Sequence, residues 1–245
     1  MSIGFDENDD YYTVADAAEL TLQDGDWCVG VWTYVSDNAG ALYQYILSNN
    51  NYGANNSFNL FLGETAEPTD ANEWGLHLED GDGTNPGTIF SGATGADSTW
   101  RLIICQRDDS ENEIQMWFCE KDGVASKENS ATDANFNAVN GGAWNVGRRV
   151  DGDVDRYYGS IAAEVFKGNF ALTQAQIEAL GAGMPIKTLC KQLGHTLDLY
   201  LPMWEADATL LDYSSNNGNN GTRNSAPTKE THPPICTPVM RRRMG

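Results

Sequence analysis

Positive charge is scarce in this chain. Its 245 residues carry 15 Lys plus Arg against 35 Asp plus Glu, a formal net charge of −20. A chain this acidic repels phosphates, which excludes general nucleic-acid binding and disfavours docking on anionic membranes. Long apolar runs are missing too. Mean hydropathy is −0.46, and no stretch approaches the roughly 20 apolar residues that cross a bilayer. The opening Met1-Ser2-Ile3-Gly4-Phe5-Asp6-Glu7 has neither a basic head nor an apolar centre, so no secretory signal is expected, and Ser2 stands where myristoylation needs Gly. There are 5 cysteines (Cys28, Cys105, Cys119, Cys190, Cys236) and no C-x-x-C pair. An odd, dispersed set fits reduced, buried thiols better than a disulfide framework or a thiolate zinc site. Histidine is limited to 3 positions (His77, His195, His232), and no Gly-x-Ser-x-Gly occurs, so a serine triad has no support. Each His reads as structural or solvated.

What is present is a rhythm of short apolar runs between Asn, Asp and Gly clusters, the pattern of strands joined by turns. Strands are predicted at 11–14, 27–35, 42–47, 57–62, 74–78, 100–106, 114–119, 143–146, 157–166 and 197–201. Segment 27–35 is apolar on both faces and reads as central. The clearest hairpin joins 100–106 to 114–119, and Glu120-Lys121-Asp122-Gly123 turns the chain back again. Cys28, Cys105 and Cys119 fall inside strands, as do Trp27, Trp32, Trp100, Trp117 and Trp144, which are therefore core candidates. Helix signals come late. Thr173 with Gln176 makes a capping box before Ile177 and Leu180, and Pro185 opens a second helical pattern that Gly194 closes. About ten short strands with two small helices predict an all-β, two-sheet sandwich and not a βαβ fold. After Asn224 the composition changes: Pro227, Pro233, Pro234 and Pro238 interrupt any regular element, and the chain closes on Arg241-Arg242-Arg243-Met244-Gly245. Residues 225–245 read as an extended Pro-rich basic arm. No repeat of fixed period is visible.

Several segments, in consistent order, resemble the laminin G-like jelly-roll domains of the concanavalin A-like lectin/glucanase superfamily. They are Phe5 to Val14, Asp26 to Trp32, Ser98 to Ile104, Ile114 to Trp117 with the Lys121-Asp122-Gly123 turn, Trp144 to Gly147, Tyr157 to Val165, and Leu172 to Leu180. A further pair, Leu199-Tyr200-Leu201-Pro202-Met203 and Asp212 to Thr222, resembles a segment that in many such domains precedes the Phe-Asp opening. Here it follows at the other end. The resemblance implies one sandwich over 1–224, circularly permuted, in which 197–222 folds back as a strand and turn; chain ends of compact domains lie close enough for this to cost little. The Asn216 to Thr222 string, the Pro-Pro step and the terminal Arg cluster also resemble laminin G-like proteins of tailed-phage structural gene clusters, which implies assembly in a host cytoplasm.

Function is weighed on that basis. Glucanases of the superfamily set two carboxylates along one strand, Glu-x-Asp-x-x-Glu, to flank a cleft. That string is absent: Glu113 and Glu120 bracket a strand in which Gln115, Met116 and Trp117 stand where the partner acid belongs, so a non-enzymatic protein is expected. No cofactor is expected either. Asp151-Gly152-Asp153-Val154-Asp155 and Glu79-Asp80-Gly81-Asp82-Gly83 are acidic turns that read first as solvated; calcium, which laminin G-like domains often bind, is the lesser reading there. Glycan binding would need exposed aromatic rings with Asn and Asp for hydroxyls, and Trp74 and Trp204 stand outside the core pattern as contacts. The basic terminus, Arg241, Arg242 and Arg243 behind Pro233 and Pro234, reads as an arm that docks on an acidic shell or a neighbouring subunit. The leading expectation is a phage capsid decoration or cement protein located in the virion, a homo-oligomer whose partners are the major capsid protein or other virion subunits. The alternative is a carbohydrate-binding adhesin on capsid or tail that grips host glycans. No nucleic-acid or membrane partner is expected.

Overall fold

In Trp27-Cys28-Val29-Gly30-Val31-Trp32 almost every side chain is apolar, so a strand built from it must be covered on both faces. The computed structural model places it that way. It describes residues 2–5, 10–35, 43–49, 56–63, 72–81, 86–94, 98–133, 136–139, 142–148, 159–203, 209–215, 218–224 and 228–230. In chain order the strands are β1 (Ser2–Phe5), β2 (Tyr11–Val14), β3 (Trp27–Tyr34), β4 (Gln44–Asn49), β5 (Ser57–Leu62), β6 (Glu73–Glu79), β7 (Pro86–Thr94), β8 (Arg101–Asp108), β9 (Glu113–Glu120), β10 (Ser126–Thr132), β11 (Trp144–Val146) and β12 (Gly159–Gly168). Two helices follow, α1 (Gln174–Gly181) and α2 (Ile186–Leu193), then β13 (Leu197–Leu201), β14 (Thr209–Leu210), β15 (Gly221–Asn224) and β16 (Thr228–Glu230).

Among the described residues these strands form two sheets, and the fold is a jelly-roll β-sandwich with two short helices, as the sequence pattern predicts. The first sheet runs β10-β9-β8-β3-β12-β1-β16, with β13 also on β12; the second runs β14-β15-β2-β11-β4-β5-β6-β7. Strand β12 pairs with β3 along one edge, while its other edge is divided: Gly159 to Ile161 meet β1, and Val165 to Gly168 meet β13. The returning C-terminal strands enter both sheets, β13 on β12 and β15 on β2. The arm expected from residue 225 onward is in part a strand, since Thr228 to Lys229 to Glu230 pair antiparallel with Gly4, Ile3 and Ser2.

Two apolar layers result. Trp27, Val29, Val31, Ile103, Cys105, Phe58, Leu60, Leu76, Trp144 and Leu201 fill the space between the sheets. The alternate residues of the same strands, Cys28, Trp32, Leu102, Ile104 and Phe166, pack instead against Ile177, Leu180, Ile186, Leu189 and Cys190 of the helices. The central strand β3 is thus covered by the second sheet on one face and by helices on the other. At this depth each large side chain contributes roughly 1.5–3 kcal/mol. Four cysteines, Cys28, Cys105, Cys119 and Cys190, are buried and free.

Local chemistry fixes the connections. Thr173 caps α1: its side chain accepts from the Gln176 N–H, and the Gln176 side chain accepts from the Thr173 N–H at 2.9 Å. Gly194 ends α2 with φ 74°, the left-handed region that suits glycine. The Asp212 carboxylate knots the returning segment by accepting from the N–H groups of Tyr200, Ser214 and Asn219 and from the Ser214 hydroxyl. Lys167, buried on β12, donates to three acceptors at 2.7 Å each: the Asp198 carboxylate, the Asn169 side chain and the Glu19 carbonyl. All three of its protons are satisfied, which is what a buried ammonium requires.

Candidate functional site

Strand alternation decides which side chains face away from the core of the second sheet. In β5, Phe58, Leu60 and Leu62 turn inward, leaving Ser57, Asn59 and Phe61 on the outer face. In β6, Trp74, Leu76 and Leu78 turn inward, leaving Gly75, His77 and Glu79 outside. The register then lines polar residues straight across the sheet. Thr222 stands opposite Thr13, Thr13 opposite Asn145, Asn145 opposite Ser48, Ser48 opposite Asn59, Asn59 opposite His77 and His77 opposite Thr88.

Most of this row is hydrogen-bonded along its length. Thr13 donates to the Asn145 side-chain oxygen at 2.9 Å, Asn224 donates to the Thr13 hydroxyl at 3.1 Å, and Ser48 donates to the Arg148 carbonyl at 2.7 Å. His77 Nδ1 lies 2.9 Å from the Thr88 hydroxyl, and its Nε2 lies 3.3 Å from Glu79 Oε1. Burial lowers the His77 pKa, with Glu79 pulling against it. The neutral ring donates to Glu79 from Nε2, and Nδ1 accepts from Thr88.

At the centre of the row the pattern breaks. Asn59 is 0% exposed, and among the described residues neither its amide oxygen nor its amide nitrogen has a partner; the Ser57 hydroxyl, also buried, has none there either. A buried amide left empty costs about 1–3 kcal/mol, and such groups are rare enough in folded proteins to need a reason.

Beside this row lies an aromatic cluster. The Phe61 ring sits 5.3 Å from both Tyr43 and Tyr45 and 6.1 Å from Phe90, centre to centre. Gly75 makes the room, because a Cβ there would stand 2.4 Å from Phe61 Cζ. The outer face of β4 to β7 therefore carries, within one patch, aromatic rings, a neutral His–carboxylate pair and three polar atoms on Asn59 and Ser57 that have no partner among the described residues; Tyr43, Glu79, Thr88 and Phe90 are half-buried at its rim, and Ser57, Asn59, Phe61 and His77 are buried behind them.

Trp74 is not on this face. It is 1% exposed, and β6 alternation turns it into the core between the sheets; the expectation of a glycan contact there is corrected, since a ring enclosed by Leu76 and its neighbours offers no face to a sugar. Trp204, Pro233, Pro234, Arg241, Arg242, Arg243 and the Asp151-to-Asp155 turn lie outside the described residues. Asp80 is buried and accepts the Asn137 N–H at 3.0 Å, a structural use and not that of a solvated turn. Among the described residues no group of three or more His, Cys, Asp or Glu side chains is arranged to hold a metal ion. Sequence reasoning missed Asn59, Ser57 and Phe61, although the signal was there: Ser57-Phe58-Asn59-Leu60-Phe61-Leu62 alternates strictly and puts all three on one side.

No protein-family profile and no curated protein matches this sequence. Solved structures do resemble it. A candidate carbohydrate-binding protein from Bacteroides ovatus superposes with a TM-score of 0.66 at 13% identity, over 94% of this chain and 59% of the other. The chain thus spans about 59% of that protein's length. A heptameric SAP-like pentraxin from Limulus polyphemus gives 0.50 at 11% identity, over 76% of this chain and 82% of that one. The LG4-5 domains of the mouse laminin α1 chain give 0.47 at 10% identity, over 71% and 45%. At these identities the likeness is one of fold.

Proposed function

We propose that this chain is a non-catalytic carbohydrate-binding domain whose site is the outer face of β4 to β7. The observation that carries the reading is the Asn59 amide with both ends empty among the described residues; it is 0% exposed, so a sugar meets it only once the side chains over it give way, and the half-buried Tyr43, Glu79, Thr88 and Phe90 mark the rim by which it enters. A side-chain amide offers two donors and two acceptor positions, which matches the paired hydroxyls of a sugar ring. The Ser57 hydroxyl, two residues back on β5, and the His77–Glu79 pair across the β5–β6 pairing add hydrogen-bonding groups beside it. The half-buried rings of Tyr43 and Phe90, backed by Phe61, supply apolar surface for the C–H faces of a pyranose. The name of the Bacteroides ovatus neighbour supports the same reading. The virion setting draws its support from the sequence resemblance; the sheet face supports glycan binding in any setting.

The test is a glycan array on the folded protein, followed by titration of each hit against Asn59→Ala and His77→Ala. Binding to at least one glycan, weakened at least tenfold by each substitution, is the expected result. An array without hits, or hits indifferent to both substitutions, would overturn the site.

A further inference from the structure

In a chain dominated by acids, residues 183–196 contain none, while Lys187, Lys191 and His195 recur at every fourth position. That spacing sets Lys187 and Lys191 on one face of α2, and His195, just past the left-handed Gly194 that ends the helix, lines the same cleft. Together with Cys190, Leu197, Ser214 and Ser215 they line a cleft of about 320 Å³, near the lower end of the roughly 300–1,000 Å³ range of small-ligand sites. It lies beside the helices that cover the first sheet, apart from the polar row of the second.

The acids around this cleft are held away from its lysines and offset their charge only in part. Lys187 Nζ donates to the Tyr213 carbonyl at 2.7 Å and stands 5.7 Å from the centre of the Tyr200 ring, which places the ammonium and leaves two of its protons over. Among the described residues neither Lys187 nor Lys191 has an acidic partner. Three acids lie close to the cleft in the fold or the chain and each is turned to other groups: Asp198 pairs with Lys167 at 2.7 Å, Asp212 accepts from the N–H groups of Tyr200, Ser214 and Asn219, and Glu164 is buried against the Tyr200 hydroxyl. Burial pushes the Cys190 thiol up to about 11, so that wall is uncharged at neutral pH. The His195 ring is stacked on Phe170, 4.6 Å between centres and 6° between planes, which fixes it at the rim.

We infer that the cleft bounded by Lys187, Lys191, His195 and Ser215 binds the oxyanion of a small soluble ligand: a carboxylate, sulfate or phosphate group. The source is either the free inorganic ion or a sugar bearing the anion. Lys191 and His195 also offset the negative end of the α2 dipole, a purely structural role that saturable binding would distinguish.

The experiment is an amide chemical-shift titration of the whole protein at constant ionic strength with sodium sulfate, sodium phosphate, glucuronate and glucose, with chloride as reference. The expected result is saturable movement of the Lys191, His195 and Ser215 amides with at least one anion and none with glucose. Preference for glucuronate over the inorganic ions assigns the sugar source, and the reverse assigns the free ion. Lys191→Gln, at a side chain that makes no hydrogen bond among the described residues, weakens saturation several-fold; Lys187→Gln with Lys191→Gln weakens it at least tenfold. Shifts that stay linear, that match chloride, or that persist in both variants would overturn the site. Amides of β4 to β7 report separately on the sheet face, so failure at one site is legible without the other.

Discussion

The ring of Phe166 occupies the space that a side chain on Gly30 would need: a Cβ there would lie 2.1 Å from Phe166 Cζ. The two residues face each other across the β3–β12 pairing, and the contact lets a large ring lie over the central strand beneath the helices. Gly30→Ala is expected to destabilise the fold by about 1–3 kcal/mol, and Phe166→Leu in the same chain should return part of the loss. Urea unfolding of the wild type and the two variants checks this; a neutral Gly30→Ala would contradict the packing.

Glu164 lies under α2, buried, accepting from the Tyr200 hydroxyl at 2.9 Å. Burial pushes its carboxyl from about 4.5 up to about 7. The folded chain therefore holds this proton at pH values where the unfolded chain has released it. Its contribution to stability is complete below about 4.5 and is lost as pH rises through about 7, on the order of 3 kcal/mol in all. Thermal unfolding from pH 4 to 8 should show a steeper decline in the wild type than in Glu164→Gln, and taking the difference removes the background from the net charge. Parallel curves would refute the assignment.

Asn59→Leu is expected to stabilise the unliganded protein by about 1–3 kcal/mol, since an empty buried amide is exchanged for an apolar group of similar size. The same change should abolish glycan binding. Chemical denaturation beside array binding reads both effects; a destabilised variant would mean that the amide has a structural partner.

Trp74→Ala should cost about 3–5 kcal/mol as a core truncation, whereas Trp74→Phe costs far less. If glycan binding survives in Trp74→Phe at wild-type strength, the ring serves packing alone. A Phe variant that folds normally but loses binding would return Trp74 to the site.

Where alternation was strong, the sequence was easy to read. Segment 57–62 is β5 and 197–201 is β13, residue for residue, and the Thr173 capping box is present with both its bonds. Strand β10, Ser126 to Thr132, carries almost no apolar residue and escaped notice, because an edge strand held by its pairing with β9 needs no buried face. β7 was hidden by Pro86, Gly87 and Gly92, and β16 by the prolines around it. The site was harder. Asn59, Ser57 and His77 are ordinary residues in sequence, and only the register that sets them opposite Glu79, Ser48 and Thr88 makes them a group. Trp74 misled because aromatic character was weighed before the parity of its strand position.

The placement of β3 between a sheet and a helical layer has a kinetic consequence. From Trp27 to Thr33 that strand is buried on both faces, and β8 and β12 pair with its two edges, so local opening does not readily expose its backbone. Its amide protons should exchange with deuterium only when the entire molecule unfolds, giving a built-in gauge of global stability against which the slower or faster exchange of β4 to β7 on ligand addition can be measured.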